Sequence, residues 1–445
     1  MSATARPTAN ALASKELALN GGPPVRTRAW LENFTMEEEE KHAACEVIDG
    51  GRLSLFEGSW TPEAPFSFWG GPWVQQLERD WAACYGVPHA VSMNSATSGL
   101  IAAVGALGLG YGDEVIVSPY TMTAAASCVL WYGAIPVFAD VRLETGSLDP
   151  TSVEARITKR TRAMIIVHQF GIPAEMDSIL ALARRHELRV IEDCAQAHGA
   201  RYLDRPVGTL GDIGVFSLNV NKTIQTGEGA VCLTRDARLR DRLALIRNHG
   251  EAAAEAAGCE DLTNLVGFNF RFTEVAAAMA IEQLKKLERL NAIRLEYVRA
   301  LSDALARYEF LVPPPSCSHA AFGQACVGCR STYYLYPMRF LPETIGLSRS
   351  EFTRALRAEG TPWIEGYTRP LYLQPLYQKR QAFKQGYPFA APANADSRPN
   401  YQPGACPNAE RLFAEQMLVN EYVRPPHTLD DIQDIARAIE KVAAR

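Results

Sequence analysis

The chain has 445 residues, 47% of them hydrophobic and 21% charged, with a formal charge of −5. That is ordinary soluble globular composition; it excludes a largely disordered or collagen-like chain and offers no basic stripe to neutralise a nucleic-acid backbone. No run reaches the roughly 18 uninterrupted apolar residues of a membrane helix, and the N-terminus carries no compact apolar signal segment, so a cytoplasmic protein without a membrane partner is expected.

Residues 1–35 mix Pro, Gly and charge without sustained periodicity and read as an N-terminal arm that orders by lying on another surface. From His89 onward HAVSMNS, EVIVSPY, IPVFADV, AMIIVHQF, RVIEDCA and GVFSLN are short runs rich in Val, Ile and Phe, the pattern of strands buried on both faces. Between them SATSGLIAAVGAL, TAAASCVLWYG and MDSILALARRHE carry apolar residues at helical spacing. Strand and helix therefore alternate, which predicts a large three-layer α/β domain with a mostly parallel sheet over residues 36–290. A long helix from about Thr273 to Tyr308 follows, with a break at Pro313–Pro315. STYYLYPMRF then reads as a strand, and SRSEFTRALRAEG and DDIQDIARAIEKVAAR read as helices, giving a smaller α+β domain over residues 291–445. Ten cysteines are scattered along the chain. Cys317, Cys326 and Cys329, with Cys406, are the one conceivable zinc set, but they contain a single CxxC pair; an irregular loop is the favoured reading and no metal is assigned.

Ligands of parallel α/β sheets bind beyond the carboxyl ends of the strands, so polar residues that interrupt apolar runs there come first. In VSMNSATSGL the small residues Ser95, Ala96 and Thr97 stand between a strand and a helix, where backbone N–H groups and the helix dipole favour an anion, although many such turns are only N-caps. In VIEDCAQAHGA a buried strand ends in Glu192 and Asp193, followed by Gln196 and His198; a carboxylate there needs a cation or hydrogen-bond donors, and a structural salt bridge is the competing explanation. His198 is read as a hydrogen-bonded structural residue. In VFSLNVNKTIQTGEGA, Ser217 ends a strand and Lys222 lies in a polar turn before Gly227 and Gly229, a setting in which a lysine can be desolvated into a nucleophile. In NLVGFNFRFTE, Asn269 and Arg271 alternate with phenylalanines, as an edge strand also would.

With these segments in order, together with GDEVIVSPYT, IIVHQFGIPAEMD, RNHGE and PLYLQPLY, the sequence resembles the DegT/DnrJ/StrS family of pyridoxal-phosphate (PLP)-dependent sugar and cyclitol aminotransferases, which have the fold-type-I architecture. The resemblance runs from about His89 to Gln283 and more loosely to the C-terminus. It implies PLP as cofactor, Lys222 as its covalent anchor and general acid/base, and Asp193 as the carboxylate that keeps the pyridine nitrogen protonated. It further implies that Gln196 contacts the phenolic oxygen and that Ala195 lies against one ring face, with Met122 where the family usually stacks an aromatic side chain. The phosphate would be held by Ser95, Ala96, Thr97 and Ser217, and by Asn269 of a neighbouring subunit, so a homodimer with shared sites is expected. The implied reaction passes an amino group from glutamate or glutamine to a keto sugar or keto cyclitol, and the opening LNGGPPVRT is similar to members acting on inosose-type ketones. Arg271 and Arg369 are candidates for pairing with carboxylates or a phosphate, solvated roles being commoner. Related dehydratases replace the lysine with histidine, and a silent PLP-binding protein has no need of Lys222, Asp193, Gln196 and Ser217 together; both alternatives fit less well. Departures from the family pattern are Met122, Ala96 for a glycine, Asn221, and Tyr372 in the place of a frequent histidine.

Overall fold

The computed structural model describes residues 12, 14–62, 64–318 and 327–444; Cys326 of the zinc candidates lies outside them. Seven strands form the main sheet: β1 (His89–Met93), β2 (Glu114–Val117), β3 (Ile135–Phe138), β4 (Thr161–Val167), β5 (Arg189–Asp193), β6 (Ile213–Ser217) and β7 (Ala230–Thr234). Their spatial order is β1-β7-β6-β5-β4-β2-β3, and every neighbouring pair is parallel except those made by β7. The strand absent from the sequence reading is β7. It follows β6 through a tight return instead of a crossover helix: Leu218 N–H donates to Gly229 and Val220 N–H to Gly227. Both glycines have positive φ, +81° and +155°, and a Cβ at Gly229 would strike the Phe272 ring at 2.5 Å, so only glycine suits that corner.

Eight helices accompany this part of the chain: α1 (Glu38–Asp49), α2 (Pro72–Tyr85), α3 (Ala96–Ala106), α4 (Ala124–Leu130), α5 (Pro150–Arg156), α6 (Met176–His186), α7 (Ala237–Arg247) and α8 (Glu274–Leu305). Period-two alternation divides the strand side chains between two cores. Val115 and Val117 join the core with Val104 of α3, Val129 of α4 and Leu243 of α7. Ile116 joins Trp81 of α2, Ile179 of α6 and Ile281 of α8 on the opposite face.

A second, antiparallel sheet has the order β8-β9-β11-β10, from β8 (Leu311–Val312), β9 (Tyr336–Phe340), β10 (Ile364–Glu365) and β11 (Met417–Asn420). Helices α9 (Arg349–Ala358) and α10 (Leu429–Ala443) cover it. Helix α8 serves both bodies: Ala277, Ile281 and Leu287 pack on the large sheet, and Tyr297, Leu301 and Leu305 pack in the small core. Between β10 and β11 the chain returns to the large sheet, where Tyr372, Tyr377 and Tyr401 surround the Phe138 ring at centroid distances of 5.7, 5.2 and 5.6 Å.

The arm lies on the small body. Leu17 is buried in its core, and Trp30 stacks on Tyr422 and donates to the Gly360 carbonyl. Arg26, its side chain 2% exposed, bridges Asp431 and Asp434 at 2.7 and 2.9 Å. Asp431 also closes the capping box of α10 with Thr428. Burial pushes the Asp431 carboxyl up, but the Thr428 N–H, the Arg26 guanidinium and the Thr428 hydroxyl outweigh it and hold the group at about 2. Removing Arg26 leaves two neighbouring acids without their buried cation, so Arg26→Ala is expected to cost about 3 kcal/mol in a urea melt at neutral pH.

Candidate active site

Strand register brings the predicted residues to one edge of the sheet. Met93 of β1 and Ser217 of β6 are both in register with Ala230 of the strand between them, and Val167 of β4 is in register with Asp193 of β5. The turns after β1, β2, β5 and β6, which carry Ser95–Thr97, Met122, Asp193–Gln196 and Ser217–Lys222, therefore all open on the carboxyl edge.

Ser95 caps α3, its Oγ accepting from the Ser98 N–H at 3.1 Å. The first N–H groups of that helix, on Ala96 and Thr97, have no intrahelical acceptor, the arrangement in which a helix start binds anions. Ser217 is buried, its Oγ accepting from Asn219 N–H at 3.2 Å. Asn269 adjoins the same turn within its own chain: Asn94 N–H donates to the Phe270 carbonyl at 2.9 Å, and Arg271 Nε donates to Asn269 Oδ1 at 2.8 Å. Met122 is 57% exposed, free to pack on whatever enters from the rim. Arg369 is exposed.

Two residues stand out by their burial. Lys222 is buried, with Nζ 4.1 Å from the centroid of the Tyr334 ring and no ion pair among the described residues. Burial lowers its ammonium to about 8, against the opposing pull of the Asp193 charge. Asp193 is 6% exposed, and among the described residues its carboxylate accepts one hydrogen bond, from the Ala195 N–H at 3.0 Å. It has no salt bridge among the described residues, and burial raises its carboxyl above the usual range despite the Ala195 N–H and the nearby Lys222 charge. A buried acid with so little compensation is suited to a cation brought by a ligand, such as a protonated pyridine nitrogen, and a desolvated amine is suited to an aldehyde. The site thus fits pyridoxal phosphate.

Gln196 is fixed at both ends of its amide, Oε1 accepting from Phe170 N–H at 2.7 Å and Nε2 donating to the Tyr367 hydroxyl at 2.9 Å, which leaves one amide proton for a ligand. Tyr367 was invisible in the sequence, since it sits in no periodic run, and Tyr334 stood in the STYYLYPMRF run with nothing to single it out; Tyr367 is held at φ 58° by a loop whose Gly366 carbonyl accepts from Tyr120.

A profile of the DegT/DnrJ/EryC1/StrS aminotransferase family matches residues 66–440. The chain belongs to that family. It is a pyridoxal-phosphate-dependent aminotransferase with the fold-type-I architecture. It is 34% identical, over 96% of its length and 97% of the relative's, to the L-glutamine:2-deoxy-scyllo-inosose aminotransferase of Streptoalloteichus tenebrarius. It is 32% identical to the spore coat polysaccharide biosynthesis protein SpsC of Bacillus subtilis, covering 91% of this chain and 94% of that one. The aminotransferase structure from Psychrobacter cryohalolentis superposes with a TM-score of 0.78 at 29% identity, covering 94% of this chain and 99% of that one.

Other polar residues of these segments have structural work in this aminotransferase. Tyr372 is a core side chain whose hydroxyl binds the Glu410 carboxylate and accepts from Cys406 N–H at 3.2 Å. His198 is buried against Trp81 and Phe216, and burial, with the Lys222 charge, lowers it to about 3, so it stays neutral. Of the cysteines, Cys329 Sγ accepts from Leu203 N–H while Cys406 Sγ faces the Phe138 carbonyl. Glu192, beside Asp193 in sequence, points to the opposite side of the strand and is fully compensated: it accepts from His168 Nε2 at 3.0 Å and from the N–H groups of Gly208, Leu210 and Gly211. Since His168 Nδ1 accepts from Ala174 N–H, the ring proton is on Nε2. Burial raises the Glu192 carboxyl, but the His168 hydrogen bond and the backbone donors bring it below the usual range. A carboxyl lowered by folding contributes stability that is complete above its unfolded value and is lost as pH falls through the folded one. Glu192→Gln is therefore expected to lose about 3 kcal/mol at pH 7, with the gap to the parent protein closing in melts below pH 4.

Proposed function

We propose that this enzyme transfers an amino group from glutamine or glutamate to the carbonyl carbon of a keto sugar or an inosose-type keto cyclitol, with pyridoxal phosphate carried on Lys222. The observation that carries the reading is the juxtaposition of a desolvated lysine with a buried, under-compensated acid at the carboxyl edge of the sheet. When bound, the cofactor supplies an aldehyde that takes up the amine and a ring that draws electrons from the bonds of the amine-bearing carbon. Asp193 holds the proton on the ring nitrogen by placing a fixed negative charge beside it. Lys222 would anchor the cofactor through Nζ and, as a free amine, would carry the proton on the reacting carbon. Gln196 orients the ring through its remaining amide proton, with Ala195 and Met122 on the ring faces. Ser95, Ala96, Thr97 and Ser217 bind the phosphate, aided by Asn269, which lies beside the Ser95 turn of its own chain, and the enzyme acts as a homodimer. The exposed apolar side chains Leu262 and Val266, close to Asn269 in sequence, support that interface. The inosose-type acceptor is favoured by full-length similarity to glutamine-dependent inosose aminotransferases.

Lys222→Ala is expected to lower transamination by at least about a thousandfold, because anchor and proton carrier go together. Only the neutral amine adds to an aldehyde, so covalent uptake of pyridoxal phosphate by the apoprotein should accelerate with pH and level off above about 8. Turnover of the variant checks the first statement, and borohydride trapping with peptide mapping checks the second; a pyridoxyl label anywhere but position 222 overturns the assignment. The acceptor is identified by offering keto sugars and inososes to the aminated enzyme and following return of the aldehyde-form absorbance.

A further inference from the structure

The turn that carries Lys222 is held from outside the large sheet. Asn33, in the arm, places its side-chain amide against two backbone carbonyls of that turn, Nδ2 donating to Val220 at 2.7 Å and to Lys222 itself at 2.9 Å. Two residues further on, Thr35 Oγ1 donates to Gln283 Oε1 at 2.8 Å, and the same oxygen accepts from the Gln225 N–H at 3.1 Å, at the far end of the turn. Gln283 is wholly buried in α8 and returns a hydrogen bond to the Thr35 carbonyl. The arm therefore grips the turn at both shoulders. Just before Asn33 it is fastened to the small body: Leu31 N–H donates to His427 Nε2, and Trp30 to the Gly360 carbonyl.

We infer that Asn33 is a positioning residue for the reaction, setting the backbone of residues 220–222 so that the Lys222 amine stays in its desolvated place against Tyr334 and Asp193. The inference rests on the reading of Lys222 as the cofactor's anchor. The turn's own hydrogen bonds leave this task open. Val220 N–H reaches Gly227 and Lys222 N–H reaches Asn219, while the carbonyls of 220 and 222 are taken by Asn33. Without that amide the two carbonyls seek water, and the turn carries Lys222 with it. A small displacement of a reacting nitrogen is sufficient to slow chemistry by ten- to a hundredfold, on the order of what misplacement by about 1 Å costs. Hydration of the amine would also raise its proton affinity towards that of a free lysine; the charged or titratable groups acting on it here are Asp193, Tyr334 and the neutral His198.

The test compares the holoenzyme with Asn33→Ala and with the isosteric Asn33→Asp, which keeps the volume but has no proton to donate. Ser348→Ala, which removes the N-cap of the distant α9, is the control for a purely structural loss. Expected is a kcat lowered by about tenfold or more in both Asn33 variants, with the donor KM changed by less than about threefold, and, in Asn33→Ala, the pH midpoint of covalent pyridoxal phosphate uptake by the apoprotein at position 222, read by borohydride trapping, displaced to higher pH. Ser348→Ala should melt earlier but keep the parental kcat and midpoint. If Asn33→Ala fails to fold, the kcat of Asn33→Asp alone decides. Parental kcat in both Asn33 variants and a parental midpoint in Asn33→Ala, with label still at 222, overturn the role of Asn33 and leave the anchor intact. Absence of label at 222 in the parent enzyme overturns both.

Discussion

A lysine and an aspartate kept from water within reach of each other, with few protein partners between them, are the constraint around which this fold is arranged. Neither charge is comfortable. Burial works against the Lys222 ammonium and against the Asp193 carboxylate alike, and each is only partly relieved by the other. Such a pair persists because the sheet beneath it is stable on its own account, with two apolar faces and strands rich in Val and Ile. The adjoining Glu192 shows the contrast: one residue away, with four donors, it is a structural charge that braces the loop after β5.

The rest of the molecule closes over that edge. Helix α8 ties the two bodies together, the tyrosine-rich return from Tyr372 to Tyr401 packs on Phe138, and Tyr334 and Tyr367 enter the site from the small body's side. An aromatic side chain can exclude water from Lys222 without offering a competing charge, which suits a group whose reactivity depends on remaining neutral.

Much of this was legible before any coordinates. The six parallel strands announce themselves because burial on both faces demands unbroken Val, Ile and Phe, and Ser95, Asp193, Ser217 and Lys222 stand out because each interrupts or follows such a run. β7 was missed because a glycine turn, not a helix, precedes it. Tyr367 and Asn33 were missed for a different reason: each reaches the site from a distant part of the chain, through loops that carry no period, while Tyr334 was hidden inside a run read only as a strand. The arm was legible as a segment needing a surface, but neither its surface nor its grip on the lysine turn was. Tyr372, noted as a departure from the family pattern, proved to be core packing for Phe138.

Arg26 and Asp431 are 405 residues apart in sequence. A contact of such sequence separation carries a loop-closure cost that no neighbouring local contact shares, so it forms late in folding. Docking of residues 14–31 on the small body is therefore a late event, and it joins two segments that local unfolding would release together.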